Sequence, residues 1–323
     1  MQGGGVELAE AALVAVQHKP DLILATSMLD LATFSALTRR HFASVPLVLY
    51  MHENQLTYPV TKKGSRSHAA GMTQWKAMLC ADHIFFNSAH HRDSLFAALP
   101  GFLSSAPDFD HRRFVDEVQG KSSVLYVGVD IPAAPADKRT APPLILWNQR
   151  WSHDKNPEAM LHSLVALDEL GLDFRVAICG GEPNARIPLF EEVRERLGAR
   201  VVHFGWASES EYSGLVQRAD IVLSTARHEF FGIAVMEALR SGAMGVLPNR
   251  LAYPELVEPQ SASRQLYNGA EERMRLLAGA VRSGGFTAAE RESIAPYYAR
   301  YDWSSLAPKY DARLSALALK REP

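Results

Sequence analysis

The 323-residue chain has little to stiffen it covalently and little to commit it to a membrane or a polyanion. It has two cysteines, Cys80 and Cys179, each within an apolar stretch and sharing no metal or redox spacing. That pattern excludes a disulfide scaffold and reads as buried core thiols in a reducing compartment. No apolar run approaches the length of a membrane span, and the stretch MQGGGVELAE lacks a signal-peptide core, so the expected location is cytoplasmic. The formal charge of −2 leaves out the global basic footprint of a simple DNA-binding domain. No G-x-G-x-x-G, no G-x-S-x-G and no Cys/His nucleophile arrangement is present.

What is present is ordinary in amount and regular in order. A hydrophobic share of 47% with 22% charged residues supplies two globular cores, and the length favours two domains. Short apolar runs at 21–27, 45–52, 83–88 and 122–129 alternate with helical patterns near 6–18, 30–42, 67–80 and 89–98. The segment DIPAAPADKRTAPP (130–143) reads as a linker. The alternation then restarts with PLILWNQ, FRVAICGG, ARVVHFG, ADIVLST, MGVLPN and a weaker QLYN, and helices near 156–171, 187–197, 208–218, 231–241 and 269–283 fill the gaps. Such alternation predicts an α/β chain with two doubly wound, Rossmann-like parallel-sheet domains facing across a cleft. The domains are expected at 1–135 and 136–300, with 301–323 packing back across the junction. Ligands of such sheets bind beyond the carboxyl ends of the strands.

Two stretches of the second domain therefore matter most. After PLILWNQ come Arg150 and Lys155, then Asn156-Pro157 as a capping side chain and a proline at the first helical position. A lone cation in a loop is ordinarily solvated, but two of them beside a helix amino end suit a diphosphate. In HEFFGIAVMEALRSG (228–242), Gly232 permits close approach, while Glu229 and Glu237 lie eight residues apart. At 100° per residue that is no i,i+4 pair. Glu237 falls among apolar residues and needs a partner there. Sugar hydroxyls are one, Arg240 another, and exposure is the third reading.

The E-x7-E stretch, with Arg150, Lys155, FGWASESEYSGLVQRAD and SGAMGVLPN, resembles the retaining GT-B glycosyltransferases of group 1, family 4. That resemblance implies that Glu237 binds the ribose of a sugar nucleotide and Glu229 the transferred sugar. It further implies Arg150 and Lys155 on the diphosphate, with Gly232 and Ile233 offering amides to the same phosphates. His52, ending the run VPLVLYMH, is expected to point into the cleft, where it orients the sugar or leaving group; a lone strand-end histidine is otherwise structural. A narrower likeness joins LYMHENQLTYP, ADHIFFNSAHHRDSL, ILWNQRWSHDKNPE, STARHEFFGIAVMEA and LPNRLAYPEL. Together they look like the tRNA-queuosine mannosyltransferase family, which implies GDP-mannose as donor, a tRNA nucleoside as acceptor and no separate cofactor. In that family an initial strand and a Gly-rich loop precede the segment matching MQGGGVELAEAAL, so the first domain is expected to lack that strand.

Between residues 39 and 92 stand seven Lys/Arg against Glu53 and Asp82, a local net of +5. The loop TKKGSRSH could meet a tRNA backbone, be merely solvated, or face an anionic lipid acceptor. Asp108-Phe109-Asp110 spells D-x-D, but no strand leads into it, and His90, His91 and His111 lack zinc spacing, so no metal site is expected. A lipid or glycan acceptor, a sugar-nucleotide epimerase and a truncated nucleotide-binding remnant without turnover remain as rivals. The oligomeric state stays open.

Overall fold

A computed structural model describes residues 4–58, 68–104, 109–131, 142–181 and 188–319. The loop TKKGSRSH lies outside these residues apart from its last histidine, as do Asp108 and most of the linker. The chain divides into two compact units, Met1–Tyr126 with Ala307–Pro323, and Val127–Leu306. These divisions fall at 126/127 and 306/307, where the sequence pattern suggested 135/136 and 300/301. The second division falls inside the last helix.

The first unit begins with α1 (Gly4–Ala15), β1 (Ile23–Thr26), α2 (Leu31–Phe42) and β2 (Leu47–Met51). It continues through α3 (His68–Cys80), β3 (His83–Phe86), α4 (Ala89–Leu103), α5 (Val115–Gly120) and β4 (Ser122–Val124). Side chains set the helix starts: Asp30 accepts from Thr33 N before α2, and Ser88 accepts from His91 N before α4. All four strands are parallel in the order β1-β2-β3-β4. With right-handed crossovers running one way, the helices must collect on one face. Strand residues alternate accordingly. Leu49, Met51, Ile84 and Phe86 pack with α2, α3 and α4. Val48, Tyr50 and Phe85 face the other side, with Leu125 from beyond β4.

The second unit holds β5 (Leu144–Asn148), α6 (Pro157–Glu169), β6 (Arg175–Cys179), α7 (Pro188–Leu197) and β7 (Val201–Gly205). Next come α8 (Glu209–Arg218), β8 (Ile221–Leu223), α9 (Ile233–Arg240) and β9 (Met244–Pro248). The short α10 (Tyr253–Leu256) and α11 (Ala262–Gln265) lead to β10 (Leu266–Tyr267), α12 (Ala270–Ser283) and α13 (Ala288–Ala299). Capping boxes of Ser208 with Glu211 and of Thr287 with Glu290 start α8 and α13. The six parallel strands run β10-β9-β8-β5-β6-β7. Chain direction across this sheet reverses between β5 and β8, which pair through Ile145↔Ile221 and Leu146↔Val222. That junction is the topological switch point, where ligands of doubly wound sheets bind.

The last helix, α14 (Trp303–Leu319), starts in the second unit and continues in the first from Ala307. There Tyr310, Leu314 and Leu317 cover the face of Val48, Tyr50 and Phe85. The Tyr310 hydroxyl lies 2.8 Å from that of Tyr50 and 2.9 Å from Tyr126 O, and Tyr50 donates to Leu125 O at 2.7 Å. Among the described helices, none is long and apolar enough to cross a membrane.

The cysteines divide. Cys179 is 2% exposed, and burial pushes its thiol up to about 12. Cys80, expected in the core, is exposed. It is the last residue of α3, where the helix turns away from the inward row of Gly71, Gln74, Trp75 and Met78. Leu314→Ala should cost about 2 kcal/mol of stability, read from the urea midpoint of the full chain. No shift would mean that α14 does not support the sheet beneath it.

Candidate functional site

The loop following β5 and the loop following β8 leave adjacent strands at the switch point, and they are tied to each other along their length. Thr225 Oγ1 donates to Lys155 O (2.9 Å) and Asn156 O (3.0 Å). Arg227 N and His228 N both point to Asp154 O, at 2.8 and 3.3 Å. The Arg227 guanidinium donates to Asn156 Oδ1 at 3.0 Å. Asn156 was expected to cap α6 with its side chain. Instead it holds a left-handed backbone, φ 53°, and makes no cap bond. Its Oδ1 is spent on Arg227, and the strain of that conformation, about 1 kcal/mol for a non-glycine residue, is held by the crosslinks. Pro157 stands at the first helical turn as expected.

Between the two loops lies Lys155, 8% exposed. Its Nζ donates to His228 O at 2.8 Å and to Glu229 Oε2 at 3.0 Å, and stands 3.2 Å from Asp154 Oδ2. Two carboxylates and a carbonyl thus surround one ammonium. Asp154 is buried, which raises its pKa, but the Ser152 hydrogen bond and the Lys155 charge outweigh that and leave it below 3.8. Arg150 extends toward solvent, its side chain 67% exposed and 4.0 Å from Asp154 Oδ2.

Glu229 is followed by the turn into α9. Gly232 sits at φ +94°, and a Cβ there would meet Glu229 Cγ and Tyr253 Cε1 at 3.3 Å each. The positive φ favours glycine, and a side chain there would have to push Glu229 or Tyr253 aside by a few tenths of an ångström. Among the described residues no side chain caps α9, whose first residue Ile233 is 47% exposed, so its leading amides leave the positive end of the helix without a side-chain partner. Glu237, in the middle of α9, is half-buried, and burial raises its pKa above 4.5. Arg240 is not its partner: Arg240 pairs with Asp302 at 2.5 and 2.7 Å, and within the chain Glu237 Oε2 accepts from the Tyr212 hydroxyl at 2.5 Å.

The structure thus brings Lys155, Glu229, Gly232 and Ile233 to one switch point, with Glu237 further along α9 and Arg150 at the loop surface. Residues missed from sequence are Asp154, Asn148 and Tyr212. Asp154 had a signal, a carboxylate beside a loop lysine. Tyr212 had none, because an aromatic at a helical spacing reads as core. Buried polar atoms also gather at this strand end. Trp147 Nε1, Asn148 Oδ1 and Gln149 Oε1 have no hydrogen-bond partner among the described residues, and buried groups of this kind are ordinarily satisfied by water or a ligand.

His52 belongs to the first unit, one residue beyond β2, and is exposed. Its backbone is fixed from both neighbouring strand ends: His52 N donates to Ser27 Oγ at 3.3 Å, and Asn87 Nδ2 donates to His52 O at 3.0 Å. The ring lies 4.7 Å from that of Tyr50. Partial burial lowers its pKa from 6.5 against the pull of the Glu53 carboxylate. A neutral imidazole at pH 7 has one donor and one acceptor nitrogen. Among the described residues no cluster of three His, Cys, Asp or Glu forms a metal site. Asp110 instead starts a short 3-10 turn by accepting from Arg112 N.

Two outcomes test this geometry. Lys155→Met should cost about 3 kcal/mol in urea unfolding, because it strands buried carboxylates, and adding Asp154→Asn should recover part of the loss. A cost near zero would show the cluster to be solvated. In an NMR titration His52 should protonate with a midpoint below 6.5; a midpoint above it would reverse the assignment of a neutral ring.

Residues 1–129 match the family model for the tRNA-queuosine alpha-mannosyltransferase N-terminal region, and residues 133–270 match that for glycosyl transferases group 1. The chain is 34% identical over 314 residues to the tRNA-queuosine alpha-mannosyltransferase of Drosophila melanogaster, covering 93% of this chain and 82% of that one. A GDP-mannose-dependent alpha-(1-6)-phosphatidylinositol dimannoside mannosyltransferase of Mycobacterium tuberculosis is 30% identical over 136 residues, 42% of this chain and 33% of its own. Among solved structures, Anabaena HepE in complex with UDP is similar with a TM-score of 0.70 at 17% identity, covering 97% of this chain and 82% of that one. The fold is GT-B.

Proposed function

Because the chain belongs to the tRNA-queuosine alpha-mannosyltransferase family, and is thus a glycosyltransferase, we propose that it transfers mannose from GDP-mannose to queuosine in a tRNA, with retention at the anomeric carbon. The observation that carries the donor side is the buried Lys155 ammonium shared with Glu229 beside the open amino end of α9. The diphosphate would sit against Lys155, Arg150 and the amides of Gly232 and Ile233. Glu229 would take the hydroxyls of the transferred sugar, and Glu237 those of the ribose. GDP-mannose as donor is supported by the name of the mycobacterial relative, which matches this chain over 136 residues.

In the proposed reaction the bond between the anomeric carbon and the diphosphate oxygen breaks, and charge grows on the departing phosphate. Lys155, Arg150 and the helix amides are there to stabilise that charge. The acceptor hydroxyl attacks from the same face, and its proton passes to the departing phosphate oxygen. His52, neutral at pH 7, would orient the sugar or the leaving group by a hydrogen bond. Cationic side chains and amides supply the electrostatic work, so the mechanism calls for no metal and no separate cofactor. Action in the cytoplasm is part of the same proposal, and the basic residues between 39 and 92 would meet the tRNA backbone.

The test is to incubate the full chain with GDP-mannose and bulk tRNA, then measure the released nucleosides by mass. A hexose added to queuosine is expected. Glu229→Gln should lower the rate at least about 100-fold, the scale for losing one group that contacts the reacting sugar. Hexose appearing only on lipid or glycan would transfer the acceptor assignment to those classes. Free epimerised donor would make the protein an epimerase, and GDP binding without turnover would make it a remnant.

A further inference from the structure

The end of β5 meets α8 and α9 in a chain of three side chains whose direction is forced. Asn148, 6% exposed, donates from Nδ2 to Ala234 O at 2.6 Å and to the Tyr212 hydroxyl at 3.0 Å. Both amide hydrogens are thereby used. Turning the amide over would set its oxygen against the Ala234 carbonyl, two acceptors face to face, so Ala234 decides the orientation. The Tyr212 oxygen already accepts from Asn148. Its single proton therefore goes to Glu237 Oε2, 2.5 Å away.

Glu237 is in this way held as an acceptor. Burial disfavours its charge, and the Tyr212 bond opposes that effect. With Oε2 anchored, Oε1 makes no hydrogen bond among the described residues. A carboxylate fixed by one oxygen and open at the other can receive donors but offer none. That suits a vicinal diol and penalises a ligand lacking one of its two hydroxyls.

We propose that Tyr212, aligned by Asn148, is a positioning residue that fixes Glu237 as an ionised acceptor for the donor's ribose diol, and thereby makes the site select ribonucleotides over 2′-deoxyribonucleotides. This rests on the donor reading above. A rival role for the same bonds is a brace between α8 and α9, which would affect stability alone.

Binding of GDP and of 2′-deoxy-GDP to the full chain, measured by calorimetry from pH 7 downward, separates the two. Wild type should prefer GDP about tenfold, the scale of one hydrogen bond to a charged group. Tyr212→Phe, which keeps the ring, should abolish that preference and raise the donor KM about tenfold, with a smaller change in kcat. It should also move the acid limb of GDP binding to higher pH. The sign follows from removing a bond that lowers the Glu237 pKa, so that the carboxylate protonates earlier as pH falls. Glu237→Gln should lose the preference too, and its binding should no longer show that acid limb. A Tyr212→Phe protein that melts lower but keeps both the preference and the limb would reduce the contact to a brace. Wild type binding both nucleotides equally would overturn this inference and leave the donor site standing. Wild type binding no GDP would bring down the donor reading itself.

Discussion

One ammonium group organises the second unit. Lys155 is buried where β5 and β8 part company, and the two loops that leave those strands close around it. A lone buried cation would be prohibitively costly, so Asp154, Glu229 and the His228 carbonyl must all be in place at once. That demand fixes the loops against each other and accepts Asn156 in a left-handed conformation. It also presents the Glu229 carboxylate beside Gly232 and the open helix end. The charges of the site are therefore balanced before any ligand arrives. Under the proposed donor reading, an incoming diphosphate would compete with these two carboxylates for the lysine.

Much of this was legible in residue order. Strands and helices follow from period-2 and period-3.6 patterns, and the E-x7-E stretch with Arg150 and Lys155 singled out two loops that the fold ties together at the switch point. What escaped had physical reasons. Asn156 before a proline carries every mark of a capping residue, but a side chain has only one oxygen to give, and Arg227 takes it. Cys80 sits in an apolar stretch, yet a helix end has an outward side as well as an inward one. Tyr212 hides among the aromatics that fill cores, because what sets it apart is the direction of one hydrogen bond, to Glu237.

The two sheets differ in what they leave for a site. In the second unit the order reverses, and the crevice at the reversal is built by topology. Among the described strands of the first unit the order never reverses. There the backbone of His52 is held by Ser27 and Asn87, from the ends of the flanking strands. Position comes from these two side chains gripping the backbone, and the imidazole ring is left exposed.

The last helix has a consequence for how the chain is made. Tyr50 and Tyr310 touch across 260 residues of sequence, and Leu314 and Leu317 complete the same apolar face. A ribosome extruding this protein finishes the whole of Val127–Leu306 before the cover for the first sheet emerges. The second unit is contiguous and closes as soon as it is free. The first waits, with Val48, Tyr50 and Phe85 uncovered, until the residues beyond Ala307 emerge. The emergence of α14 thus sets when the sheet beneath it becomes safe from aggregation.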